Sequence, residues 1–169
     1  MESPTAFWRP TLVPIANSYF LDPFLVEAII HVESGGKADA FRYEPEFFRR
    51  YLSKKEEWRH SNPRRISSSY GLMQIMYIVA HELGFRDEPE ALFMPRTNLH
   101  WGCRKLRDLK GWAENFGIDK TTALTAALAA YNGGMGGNSP TGPLRPENQR
   151  YATKVLGVRQ GLIDQLASS

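Results

Sequence analysis

Apolar residues recur at three- and four-residue intervals along nearly the whole chain, and no run alternates as a half-buried strand would. That pattern points to helices packed on helices. Asp22-Pro23 reads as the N-cap and first helical residue of one segment. Leu25, Ala28, Ile29 and Val32 then share a face at i, i+3, i+4 and i+7, and Gly35-Gly36 ends the run. A second helix is predicted over about 46–55, with Phe47, Phe48, Tyr51 and Leu52 as its apolar content, followed over 56–69 by a polar, basic, serine-rich mobile loop. Helical spacing returns through Leu72, Ile75, Met76, Val79 and Leu83 until Gly84 stops it. A long helix over about 95–115 carries Leu99, Cys103, Leu106 and Leu109, and another over about 121–131 carries Leu124, Ala127, Leu128 and Tyr131. After a Gly- and Pro-rich loop, Gly133 to Pro146, a last helix carries Tyr151, Val155, Val158, Leu162 and Leu166. With no repeat, heptad run or linker, the 169 residues read as one all-α domain, large enough to bury its own core.

Composition narrows the function classes. A chain 42% apolar and 23% charged is ordinary for a soluble globular protein. Its 21 Lys and Arg against 18 Asp and Glu leave +3, which favours approach to an anionic surface without choosing a wall polymer, a membrane or nucleic acid. The basic patch Lys54-Lys55, Arg59 and Arg64-Arg65 around Trp58 has no groove-reading motif beside it, so no nucleic-acid partner is expected. The single cysteine, Cys103, excludes an internal disulfide, and its neighbours Trp101, Leu106 and Leu109 make it a buried structural thiol rather than a nucleophile. His31, His60, His81 and His100 are scattered, and His81-Glu82 lacks a second His four residues on, so neither metal nor cofactor is expected. The stretch from Met1 to Pro10 has neither the basic nor the apolar region of a secretion signal, and no apolar run reaches membrane-spanning length. The expectation is a monomer made in the cytoplasm that needs outside help to reach an extracellular target.

One carboxylate stands out. Glu33 falls in the last turn of an apolar helix, where unpaired carbonyls carry partial negative charge and disfavour another. Ile29, Ile30 and Val32 add desolvation, which also favours the neutral acid. Both effects suit a general acid that protonates a glycosidic oxygen near neutral pH. Gly35-Gly36 leaves room beside it for a bulky substrate. A solvated surface glutamate ahead of a glycine cap is the plainer alternative. Met73-Gln74 as ordinary helix residues, and Tyr131-Asn132 as a helix C-cap, are equally plain taken singly.

Taken together, these segments resemble a known family. Glu33-Ser34-Gly35-Gly36, then Gly71-Leu72-Met73-Gln74-Ile75-Met76, then Leu92-Phe93 with Thr97-Asn98-Leu99, then Ala129-Ala130-Tyr131-Asn132-Gly133, and finally Tyr151 with Val155, are similar in order and kind to the soluble lytic transglycosylase (SLT) domain. The resemblance spans about residues 25–156. It implies a lysozyme-like, goose-type single-domain fold and cleavage of the β-1,4 bond between N-acetylmuramic acid and N-acetylglucosamine in peptidoglycan. It implies one glutamate as acid and then base, assisted by the substrate's own 2-acetamido group and closing a 1,6-anhydro ring without water. Substrate assistance is a recognised exception to the two-carboxylate rule. By that match Glu33 is the acid and base, Ser34 helps hold the sugar or the Glu, and Met73 and Gln74 line the glycan groove. Tyr131 would hydrogen-bond near Glu33 and the acetamido group, Asn132 would shape that turn, and Tyr151 would stack or hydrogen-bond beneath the site.

The chain departs from the family pattern in three places. Tyr77 stands where a proline often follows, and Gly133-Gly134-Met135-Gly136 replaces the usual continuation of the Tyr-Asn motif. An insertion over about 42–69 brings Glu44 and Glu46 near the site. Glu44 facing Glu33 could orient a water and make a hydrolysing muramidase, which needs about 6.5–9.5 Å between the carboxyl groups if it inverts. Alternatively Glu44 is a helix-start carboxylate ahead of Phe47 and Phe48. A glycan-binding or virion structural module without catalysis would be marked by loss of Glu33, which is present. The lack of a leader and of accessory modules fits a phage or prophage product, either an endolysin released through a holin or a virion-borne wall enzyme.

Overall fold

The computed structural model describes residues 2–169. Among the described residues, eight α-helices account for most of the length: α1 (Arg9–Ser18), α2 (Pro23–Ser34), α3 (Pro45–Arg50), α4 (Pro63–Ile66), α5 (Tyr77–Glu82), α6 (Pro95–Glu114), α7 (Lys120–Gly133) and α8 (Pro146–Ala167). Three short strands, β1 (Phe41–Tyr43), β2 (Ser68–Tyr70) and β3 (Ile75–Met76), form an antiparallel sheet in the order β1-β2-β3. Phe41 pairs with Tyr70, and Tyr70 with Ile75.

The long helices form a bundle around one core. Leu25, Ile29 and Ile30 of α2 pack with Leu99, Cys103 and Leu106 of α6, Leu128 of α7, and Val155 and Leu162 of α8. At the start of α2 the Asp22 carboxylate accepts from the Phe24 amide at 3.0 Å and also pairs with Arg159 of α8, so one side chain caps α2 and fastens it to α8. Gly35 closes α2 in the left-handed conformation, φ 61°, with its amide donating to the His31 carbonyl. Buried Glu27 is satisfied by Thr5 Oγ1 at 2.9 Å and Arg9 Nε at 2.8 Å, which ties the N-terminal segment to the helix bearing Glu33.

A second core lies under the sheet. Leu52, Ile66, Tyr70, Ile75, Phe85 and Leu92 are buried there, with Phe41, Phe47 and Phe93 against them. Helix α4 and most of strand β2 fall in the region expected to be a mobile loop, and that expectation is corrected. Asn62 caps α4 by accepting from the Arg64 amide at 3.0 Å, Arg65 pairs with both Glu88 and Glu90, and Tyr70 Oη donates to the Arg65 carbonyl at 2.6 Å. The helix expected over 46–55 is split into α3 and a 3-10 turn at Leu52–Lys54. The helix expected from Leu72 begins only at Tyr77, because Gly71 and Gln74 take left-handed φ values of 73° and 46°. The periodicity there has another cause: Leu72 and Met73 enter the first core while Ile75 enters the second.

Candidate active site

The segment from Gly71 to Gln74 joins the two cores, and α6 holds it. Asn98 is fully buried; its Nδ2 donates to the Tyr70 carbonyl at 2.6 Å and the Leu92 carbonyl at 2.9 Å, while its Oδ1 accepts from the Met73 amide at 2.8 Å. A Cβ on Gly71 would stand 2.5 Å from Asn98 Nδ2 and 2.8 Å from the Leu92 carbonyl oxygen, so a side chain there meets the clamp itself. One turn along α6, Gly102 leaves the space that Met73 fills: a Cβ on it would lie 2.5 Å from Met73 Sδ. Ser34 completes the joint from the α2 side. Its Oγ lies 2.8 Å from the Leu72 carbonyl and 3.1 Å from the Ile30 carbonyl as donor, and accepts from the Gly36 amide at 3.2 Å.

Between the lobes runs a groove of about 580 Å³. Glu33 stands in it at the end of α2, facing Lys105 from α6 and Tyr131, Asn132, Gly133 and Gly134 from the end of α7. Arg42, Glu44, Phe47, Ser69, Gln74, Met76 and Val79 form the other wall. Tyr151 reaches in from α8, and its hydroxyl donates to Glu33 Oε1 at 2.7 Å. Burial raises the Glu33 carboxyl above its ordinary value; the Tyr151 hydrogen bond and the charges of Lys105 and Arg42 oppose it without cancelling it. Both tyrosines stay phenolic. Burial and the Glu33 charge push Tyr131 and Tyr151 well above the usual range.

Each residue singled out in the sequence has a definite place. Glu33, Gln74, Tyr131 and Asn132 line the groove, and Tyr151 lies directly against Glu33. Gln74 Nε2 donates to the Ala40 and Gly71 carbonyls, both at 3.0 Å, which fixes this positive-φ residue. Tyr131 Oη donates to the Met73 carbonyl at 2.8 Å, and Asn132 Nδ2 donates to Asn148 Oδ1 at 2.8 Å. Two expectations are corrected. Met73 does not line the groove: its side chain is fully buried against Gly102, and Met76 is the methionine that lines it. Ser34 turns its hydroxyl to backbone partners rather than to the groove, so it fastens the Glu33 helix to the Gly71 turn. Glu44 does share the groove with Glu33, but it is paired with Arg42 at 2.6 Å.

Sequence reasoning missed Asn98 as a clamp, the groove residues Arg42, Phe47 and Val79, and above all Lys105. A signal existed for α6. Asn98, Gly102 and Lys105 recur at i, i+4 and i+7, a polar and small-residue line on one helical face next to the apolar stripe. Cys103 is buried and its thiol is pushed up to about 12 by burial, which fits an inert packing residue.

A family model described as the transglycosylase SLT domain matches residues 14–151. Eleven chains of solved structures also match. One is an inactive Glu-to-Gln mutant of the lytic transglycosylase Slt from Pseudomonas aeruginosa, with a TM-score of 0.66 and 22% identity over 98% of this chain and 25% of that one. The chain therefore spans about a quarter of that protein's length, and the likeness is one of fold. Comparison with curated proteins finds no match.

Proposed function

Because the chain belongs to the transglycosylase SLT domain family, we propose that it is a peptidoglycan lytic transglycosylase with Glu33 as its acid and base. The observation that carries this reading is the setting of Glu33: a carboxyl at a helix C-terminus, half-buried in a groove, held by a tyrosine hydroxyl and raised by burial. A carboxyl held there in its acid form can give its proton to the glycosidic oxygen between N-acetylmuramic acid and N-acetylglucosamine as the C1–O bond breaks. The substrate's 2-acetamido oxygen then shares the positive charge left at C1. Glu33, now a carboxylate accepting from Tyr151, takes the proton of the C6 hydroxyl as O6 attacks C1, closing the 1,6-anhydro ring. Tyr151 thus holds Glu33 in one orientation through both steps. The phage-borne role, as endolysin or virion enzyme, belongs to the same proposal; lysis of an expressing host only when a holin is co-expressed would mark the endolysin.

A second reading is hydrolysis, favoured by Glu44 sharing the groove. Its pairing with Arg42 works against it as a free water-orienting base. Mass spectrometry of fragments released from purified peptidoglycan separates the two. Fragments ending in 1,6-anhydromuramic acid, absent with Glu33→Gln, are expected. Reducing-end fragments heavier by one water, lost with Glu44→Gln, would establish the hydrolase. No release from the unmodified protein would remove both.

A further inference from the structure

Two helices end at the Glu33 groove. The carbonyl ends of both α2 and α7 carry partial negative charge, and the reaction needs a full carboxylate between them after the first proton transfer. Lys105 is the cation placed among them. Its Nζ donates to the Tyr131 carbonyl in the last turn of α7 at 2.8 Å and stands 3.9 Å from the centroid of the Tyr131 ring, while lining the same groove as Glu33. The phenol is itself pinned to the Met73 carbonyl, so carbonyl and ring together fix the ammonium.

We propose that Lys105 is a positioning residue that stabilises the Glu33 carboxylate formed after the first proton transfer, by holding an ammonium at the end of α7 within the groove that carboxylate faces. The proposal rests on the reading of Glu33 as acid and base. Other groups facing Glu33 cannot take its place in the same way: Arg42 is paired with Glu44, and Tyr131 and Tyr151 are neutral phenols. Burial brings Lys105 down to about 8, with the Glu33 charge acting in the opposite direction, so the ammonium persists at neutral pH beside an ionised Glu33. Without Lys105 the carboxylate forms against two helix ends. Glu33 then becomes a weaker acid in the first step and titrates at higher pH.

The decisive measurement is the titration of the Glu33 carboxyl by NMR on protein labelled with carboxyl-13C glutamate, its signal assigned by its loss in Glu33→Gln. The expected result is an upward shift of the midpoint in Lys105→Met and a midpoint held near that of the unmodified protein in Lys105→Arg. An unchanged midpoint in folded Lys105→Met overturns the proposal and reduces Lys105 to a tie between α6 and α7. Should Lys105→Met fail to fold, Lys105→Gln, whose amide can still donate to the Tyr131 carbonyl, decides on the same criterion. The titration needs no substrate, so its outcome is separate from release of anhydro fragments, which judges the enzymatic reading. Where release is observed, kcat in Lys105→Met falls on the order of tenfold with little change in KM, as loss of stabilisation in the transition state requires.

Discussion

At the residue scale the site is a balance struck on one carboxyl. Burial raises Glu33, and the Tyr151 hydroxyl is the largest force pulling it back. Tyr151→Phe removes that hydrogen bond and keeps the ring. The carboxyl then moves further up, so the alkaline limb of kcat/KM for fragment release shifts to higher pH, and kcat falls roughly tenfold as the weaker acid donates more slowly. The same balance has a cost in stability. A folded-state value above the unfolded one means that ionising Glu33 opposes folding, so the stability present below the unfolded value, about pH 4, is lost as pH rises through the folded value. Glu33→Gln is therefore expected to raise Tm near neutral pH and to leave it nearly unchanged below about pH 4, as thermal melts at the two pH values would show. Glu33 was legible in the sequence because its cause is local: an apolar helix, its last turn, two glycines. Lys105 was not, because a lysine in an amphipathic helix looks the same whether it faces water or the ends of two other helices. Met73 is expected in the groove and Ser34 at the sugar or the Glu because a motif records which residues recur, not which way they point; both support the site from behind.

At the scale of elements, the sequence was most readable where helices are long and capped. Asp22-Pro23 starts α2, Pro95 starts α6, and Gly35 and Gly134 follow the ends of α2 and α7. It was least readable over the sheet, whose strands of two or three residues are too short to show alternation, and at 72–83, where residues bound for two cores imitate the spacing of one helix. What determines the backbone there is a long-range contact, the Asn98 amide from α6 bridging Tyr70, Leu92 and Met73. Asn98→Ala leaves two buried carbonyls and one amide without partners and is expected to destabilise the fold by about 2–4 kcal/mol. Urea unfolding checks this through a lowered midpoint at unchanged slope. Because the freed turn also carries Gln74 to the groove, KM for glycan should rise in the fraction that stays folded.

At the scale of the whole molecule, the groove lies between the two larger cores, and they are not independent. Helix α6 contributes Leu99, Cys103 and Leu106 to the first core and packs Trp101 against the second, and the 72–75 segment divides its side chains between both. The groove is divided likewise: Glu33, Lys105, Tyr131 and the adjoining Tyr151 stand on the helical bundle, while Arg42, Glu44 and Phe47 stand on the sheet lobe. A groove assembled this way keeps its geometry only if the lobes fold as one cooperative unit. Leu52 tests the coupling, being 1% exposed in the second core and outside the Glu33 groove. Leu52→Ala is expected to remove about 2–5 kcal/mol, which for a domain of this size lowers Tm by roughly 4–20 °C. Calorimetry should still show one transition, with calorimetric and van't Hoff enthalpies equal, and activity should disappear at the same temperature. A separate early transition, with near-ultraviolet signal lost from the lobe while the bundle stays folded, would show that the sheet lobe is a movable wall against a rigid Glu33 platform.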